Sequence, residues 1–223
     1  MKQIRSSILF WVLVVLLPLN IYIIFDYAPV EKTMGIVQKV FYFHVASAWI
    51  GLLAFVVVFV SSIWYLWRRH HRINNVALAS AEIGTIFISC TLLTGPLWAY
   101  PIWNTWWTWD PRLTTTLVLW FMYVAYIALQ GGGATESRKR LAAVYGIIAF
   151  VNVPLVFFSA RWWRSIHPIV VSEEGIGLAP KMRIAMFVSL ATFSLLYAYL
   201  LHLRVKTLEL QERIKMLRAE AGR

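Results

Sequence analysis

Two histidines in this chain of 223 residues sit where aromatic side chains gather, and both are suited to holding a metal. His44 closes the run Phe41-Tyr42-Phe43, and His167 follows Trp162-Trp163-Arg164-Ser165-Ile166 and precedes Pro168. Between them in sequence lies Trp98-Ala99-Tyr100-Pro101-Ile102-Trp103-Asn104-Thr105-Trp106-Trp107-Thr108-Trp109-Asp110-Pro111-Arg112. Imidazole is a good donor to iron, and a six-coordinate haem iron takes one ligand above and one below its macrocycle. Two imidazoles flanking a stretch of indoles therefore offer axial ligands and a broad apolar platform for a metalloporphyrin. Arg112, Arg161 and Arg164 are candidates to pair with its propionates, since a guanidinium takes a carboxylate through two parallel bonds. For Arg112 the alternative is an ordinary pair with nearby Asp110.

The plainer readings are an interfacial belt for the tryptophans and a polar tip at headgroup level for each histidine. A belt needs one or two rings per helix end, whereas this stretch supplies a run of them.

What must position these residues is a membrane. Hydrophobic residues make up 60% of the chain and charged residues 14%, too little polar surface for a soluble protein of this size. Six apolar runs have the length that crosses a hydrocarbon layer of about 30 Å. They are Ile8 to Phe25, Val45 to Trp67, Val76 to Trp98, Leu113 to Gln130, Leu141 to Ala160 and Met182 to Leu203. The expectation is one all-α, polytopic integral membrane domain over residues 1–223. It has a tryptophan-rich outer loop at about 98–112 and a charged, helical tail at about 204–223. The first run lacks a small-x-small cleavage site and reads as a retained helix. Pro18, Pro96 and Pro154 should kink their spans or mark irregular ends, and Gly131-Gly132-Gly133 should end a helix.

The net charge of +11 does not point to nucleic acid, because the basic residues lie in short clusters between apolar runs, where they orient spans. An N-in, C-in arrangement puts Lys2, Arg5, Arg68, Arg69, Arg72, Arg138, Lys139, Arg140 and the basic tail on the cytoplasmic side, about two-thirds of all Lys and Arg. Lys32, Lys39, Arg112, Arg161, Arg164, Lys181 and Arg183 remain outside. The same arrangement sends His70, His71 and His202 inward and turns His44, His167 and the tryptophan stretch to one outer face.

Cys90 is the single cysteine, so neither an intrachain disulfide nor Cys-x-x-Cys chemistry is available, and the absence of Cys-x-x-Cys-His excludes a c-type cytochrome. Glu82 is an ionisable group inside the third span and so a functional candidate, with snorkelling or a partner contact as alternatives. His70 and His71 read as part of a basic orienting turn. Leu208, Ile214 and Leu217 make only part of an apolar stripe along the tail.

The stretch Trp103-Asn104-Thr105-Trp106-Trp107-Thr108-Trp109-Asp110-Pro111-Arg112-Leu113-Thr114 resembles the WWD signature of the haem-handling membrane proteins of cytochrome c biogenesis. In size, span number and outer histidines the whole chain is similar to the haem exporter protein C (CcmC type) family. Asn104 stands where that family usually has Gly, a mild departure because Asn tolerates positive φ, and Ala46 replaces a frequent Pro. The resemblance implies a bacterial inner-membrane protein, multi-pass and not an enzyme, with its functional loops periplasmic. It implies haem b carried as transient cargo, with His44 and His167 as axial ligands to the iron. Trp103, Trp106, Trp107, Trp109 and Asp110 match the signature, and Arg112 is added to the haem-binding set. Implied partners are a CcmE-type haem chaperone, ABC transporter subunits of the CcmA and CcmB type, and a small CcmD-type subunit. Two other functions stay open on sequence alone: a membrane-embedded bis-histidine electron carrier, and a transporter subunit that holds no haem.

Overall fold

A computed structural model describes residues 2–131, 135–168, 171–172 and 175–221. In chain order the elements are α1 (Lys2–Tyr22), a π-helical turn (Ile23–Tyr27), α2 (Gln38–Arg68), α3 (His71–Trp103), α4 (Pro111–Gln130), α5 (Glu136–Ala149), α6 (Asn152–Trp162), β1 (Val171–Ser172), β2 (Gly175–Ile176) and α7 (Pro180–Ala221). Six helical stretches are long and apolar enough to cross a membrane, with α5 and α6 together forming the fifth. All six expected spans are present. The chain is a polytopic all-α membrane protein whose strands, among the described residues, form only a two-residue antiparallel pair.

The neighbouring helices α2 and α3 both overshoot the hydrocarbon. α2 has 31 residues and α3 has 33, so each runs to about 45–50 Å at 1.5 Å per residue. Between them Arg69 adopts a left-handed conformation (φ 52°) and His70 caps α3, accepting a hydrogen bond from the Arg72 backbone N–H at 3.2 Å. His70 thus has a local structural task within the basic turn. The α2–α3 seam is tight because glycines line it. A Cβ on Gly84 would stand 2.8 Å from Ala54 Cβ, and one on Gly51 would stand 2.5 Å from Ile88 Cδ1. In a bilayer the helix surfaces gain nothing from escaping water, so such close backbone packing carries the association.

The prolines act unequally. Pro154 lacks a backbone N–H and crowds the carbonyl of Phe150, four residues before it, and the fifth span is broken into turns at Phe150 and Val151. α3 continues past both Pro96 and Pro101 to Trp103. The region expected as an outer loop at 98–112 is therefore helical up to Trp103 and again from Pro111 onward. After Pro18, α1 passes into the π-helical turn. Buried Lys39 at the start of α2 donates from Nζ to the carbonyls of Ile24, at 2.7 Å, and of Ala28. These bonds tie the end of the first span to the second, with a cation set against helix-terminal carbonyls. Gly132 and Gly133 lie outside the described residues, and Gly131 is the residue that closes α4.

At the end of the bundle away from His44, polar side chains join the helices. Asn74 and Gln130 exchange two amide hydrogen bonds of 3.2 and 2.9 Å. Glu82 accepts two from Arg204, at 2.6 and 2.8 Å. The tail is a direct continuation of α7, which has 42 residues and spans about 63 Å. Val205 and Leu208 are buried against Ala79, and Asn75 donates to Glu212 at 3.0 Å. Ile214 and Leu217 remain exposed.

Candidate functional site

Gathered at the other end are the start of α2, the end of α3, the start of α4 and the segment after α6. His44 lies in the second turn of α2, with Nδ1 3.0 Å from Thr94 Oγ1 on α3. Gly95 adjoins it, and a Cβ there would come within 3.4 Å of His44 Cε1. A Cβ at 95 would touch the imidazole at ordinary contact distance, so the ring lies directly against this turn of α3.

His167 is positioned from α4. Asp110 caps that helix, its Oδ1 accepting the Arg112 backbone N–H at 2.9 Å while Pro111 occupies the first turn, where its missing N–H costs nothing. The other carboxylate oxygen, Oδ2, accepts the backbone N–H of Ile166 at 2.9 Å. One side chain thus starts α4 and anchors the residue before His167. The His167 backbone N–H donates to Ser165 Oγ at 3.0 Å.

The His167 Nδ1 stands 3.1 Å from the Pro168 carbonyl and 3.4 Å from Arg112 Nη1. It cannot serve both, because a carbonyl requires a hydrogen on Nδ1 and a guanidinium N–H requires its lone pair. The shorter contact is the hydrogen bond, and Arg112 acts as a neighbouring charge. Burial, reinforced by that guanidinium, lowers the His167 pKa to about 4. At neutral pH the ring is uncharged and its available lone pair is on Nε2.

The two imidazole rings lie 6.4 Å apart between centroids, inclined at 32°. An iron–imidazole bond of about 2 Å, plus about 1 Å from ring nitrogen to ring centre, places the two axial rings of one metal about 6 Å apart. The pair therefore has the separation that a single shared iron requires. Among the described residues no three His, Cys, Asp or Glu side chains cluster around a point. Two protein donors suit a metal that brings four of its own in a macrocycle.

Arg112 donates from Nη2 to the Phe157 carbonyl at 2.8 Å, while its Nε is buried without a partner among the described residues. Its guanidinium is not paired with Asp110, whose two oxygens take backbone N–H groups. The Thr108 and Thr114 hydroxyls and Trp98 Nε1 are also buried without partners. Unsatisfied donors of this kind cost about 1–3 kcal/mol each until something supplies an acceptor, and haem carries carboxylates.

The tryptophans do not form one continuous shelf. Trp98 is buried, with Trp103 edge-on against it at 5.2 Å, and both pack into a core with Phe41, Tyr42, Met182 and Met186. Trp106 stacks on Tyr100 at 4.3 Å, and Trp107 meets Trp109 edge-on at 5.8 Å. Trp106 and Trp109 are 54% and 76% exposed, which leaves the face of Trp106 away from Tyr100, and much of Trp109, free to cover a ligand. Asn104 has φ 51° and closes α3 in the left-handed conformation, which asparagine tolerates. Ala46 is fully buried inside α2, so the helix passes through that position without interruption. The sequence reading did not single out Thr94, Gly95 or the Pro168 and Phe157 carbonyls. Thr94-Gly95-Pro96 at the end of an apolar run was the available signal, but the partner His44 is fifty residues away.

Fold and site together define a class: a six-span helical membrane protein with two imidazoles facing each other at one end of the bundle beside an exposed tryptophan loop. The family model described as heme exporter protein C matches residues 1–220, and the chain belongs to that family. It is 35% identical over 192 residues to heme exporter protein C of Escherichia coli (strain K12), covering 82% of this chain and 75% of that one. With heme exporter protein C of Bradyrhizobium diazoefficiens it shares 33% over 201 residues, covering 85% and 76%. A putative cytochrome c biosynthesis ccmC-like mitochondrial protein of Marchantia polymorpha is 33% identical over 174 residues, covering 78% and 74%.

Proposed function

We propose that this protein handles haem for cytochrome c maturation, binding it at the outer face of a bacterial inner membrane and delivering it to a membrane-anchored haem chaperone of the CcmE type. The observation that carries the reading is the 6.4 Å separation of the His44 and His167 rings. Family membership and the names of the curated relatives support the wider role. In this reading the two Nε2 atoms ligate the iron of haem b, held as transient cargo. Arg112 takes a propionate through its unpartnered Nε, and Trp106, Trp107 and Trp109 cover the exposed macrocycle. Trp103 supports them from the core, and Asp110 holds the His167 segment in register.

The orientation is N-in and C-in, as the distribution of Lys and Arg indicates. ABC transporter subunits of the CcmA and CcmB type and a small CcmD-type subunit are the expected assembly partners. The role in this reading is that of a carrier and not of an enzyme, because exchangeable axial ligation requires no covalent intermediate on a side chain. Release follows when the acceptor supplies competing ligands, because axial ligation is exchangeable and the outer tryptophans leave the site open.

Complementation tests this. Cells dependent on His44→Ala or His167→Ala should make far less holo-cytochrome c than wild type at equal membrane abundance of the protein. Wild-type cytochrome yield and haem content in both variants would refute the proposal.

A further inference from the structure

We propose that Thr94 is a positioning residue that sets the tautomer of His44 and so keeps the Nε2 lone pair of that imidazole bare for haem iron. This inference rests on the haem-ligand reading above and concerns how one ligand is prepared.

The argument is one of hydrogen counting. Thr94 Oγ1 lies 2.7 Å from the Cys90 carbonyl, one helical turn earlier, and 3.0 Å from His44 Nδ1. A threonine hydroxyl has a single hydrogen, and a carbonyl has none to give, so at 2.7 Å Thr94 is the donor and Cys90 the acceptor. The other carbonyl within reach, Thr91 at 3.4 Å, leads to the same assignment. With its hydrogen committed, the Thr94 oxygen offers only lone pairs to His44. The contact to Nδ1 then requires the hydrogen to reside on Nδ1, which leaves the lone pair on Nε2. The ring lies against α3 at Gly95, where this bond can form.

His167 reaches the same tautomer by another route, through the backbone carbonyl of Pro168. A backbone acceptor cannot be removed by substitution, whereas a threonine hydroxyl can. His44 has the Thr91 carbonyl nearby as well, but its hydrogen bond of 3.0 Å is to the Thr94 hydroxyl, so His44 is the ligand whose preparation a side-chain substitution can perturb. A partner of this kind also orients the ring and raises its donor strength, and removing one typically weakens metal binding about 10–100-fold.

The test uses the purified full chain in detergent, titrated with ferric haem, comparing wild type, Thr94→Val, Thr94→Ser and the benchmark His44→Ala. Thr94→Val keeps the shape and removes the acceptor; Thr94→Ser keeps the hydroxyl. The expected result is haem binding weakened about 10–100-fold in Thr94→Val, with a smaller six-coordinate low-spin fraction and a raised iron reduction potential, all restored in Thr94→Ser. If His44→Ala binds as wild type does, the ligand reading itself falls. If His44→Ala is impaired while Thr94→Val matches wild type in affinity, spin state and potential, the tautomer proposal alone is overturned. Impairment of Thr94→Ser equal to that of Thr94→Val also overturns it. Should Thr94→Val not accumulate in membranes, Thr94→Ala takes its place. Failure of both to accumulate, with Thr94→Ser intact, assigns Thr94 to helix packing and overturns the proposal.

Discussion

The carboxylate of Asp110 accepts the Ile166 backbone N–H across 56 residues of sequence, at 2.9 Å, while its other oxygen caps α4. This links the tryptophan loop to the segment carrying His167. Thr94 does the corresponding work for His44. The His44 ring and the backbone just before His167 are each held by an element other than their own, so the distance between the two imidazoles is a property of the bundle and not of either segment alone.

Asp110→Ala should uncap α4 at a cost of about 1 kcal/mol and release the chain around Ile166. Amide exchange at residues 163–167 should accelerate, and bound haem should dissociate faster. Unchanged exchange in that segment would show that the carboxylate does not anchor it.

Arg112 supplies a guanidinium with one buried, unpartnered N–H. Charge-assisted hydrogen bonds contribute about 1.5–3 kcal/mol, so Arg112→Ala should weaken haem binding by roughly tenfold or more. Binding of haem dimethyl ester, which lacks the carboxylates, should change little, and Arg112→Lys should fall between because an ammonium cannot form the planar pair. Equal losses for both porphyrins would place the role of Arg112 in packing the His167 segment.

The pKa of His167 is lowered to about 4 from an ordinary 6.5. Between these values the unfolded chain binds a proton that the folded protein refuses, so the contribution of this group to stability is complete above pH 6.5 and falls as pH drops toward 4. The melting temperature of haem-free protein should therefore decline more steeply from pH 7 to pH 5 in wild type than in His167→Gln. Parallel declines would show that the imidazole titrates normally.

Glu82 and Arg204 form a two-bond ion pair within the bundle, with side chains 24% and 35% exposed. Breaking such a pair from one side leaves the other charge without its partner, at a cost below the ~3 kcal/mol of a fully buried pair because both side chains are partly exposed. Glu82→Ala or Arg204→Ala alone should lower the melting temperature, and the double variant should recover much of the loss. Haem affinity should hold in all three. Additive losses in the double variant would mean that the residues do not act as a pair.

The spans were legible because a bilayer imposes a length on apolar runs, and all six follow that rule. The charged tail was legible as a helix, but its continuity with α7 and its docking through Leu208 and Glu212 depend on contacts with α3. Glu82 stood out as an intramembrane carboxylate, yet Arg204 lies 122 positions away and no periodicity links them. At the site, residue type flagged His44, His167 and the tryptophans. It could not tell the core indoles, Trp98 and Trp103, from the exposed Trp106 and Trp109, because that division depends on how far α3 continues beyond Pro96 and Pro101. Nor could it show that Asp110 answers backbone amides in place of the Arg112 guanidinium, since an Asp two residues from an Arg is compatible with either.

The most direct test of the account is the spectrum of the haem-loaded, purified full chain beside that of the His44→Ala/His167→Ala double variant. Wild type should show a Soret band and the low-spin signature of iron ligated by two imidazoles, and the double variant should lose both while remaining folded. Retention of haem in wild-type amount, with an unaltered low-spin spectrum, in the double variant would contradict the claim that these two residues grip the iron.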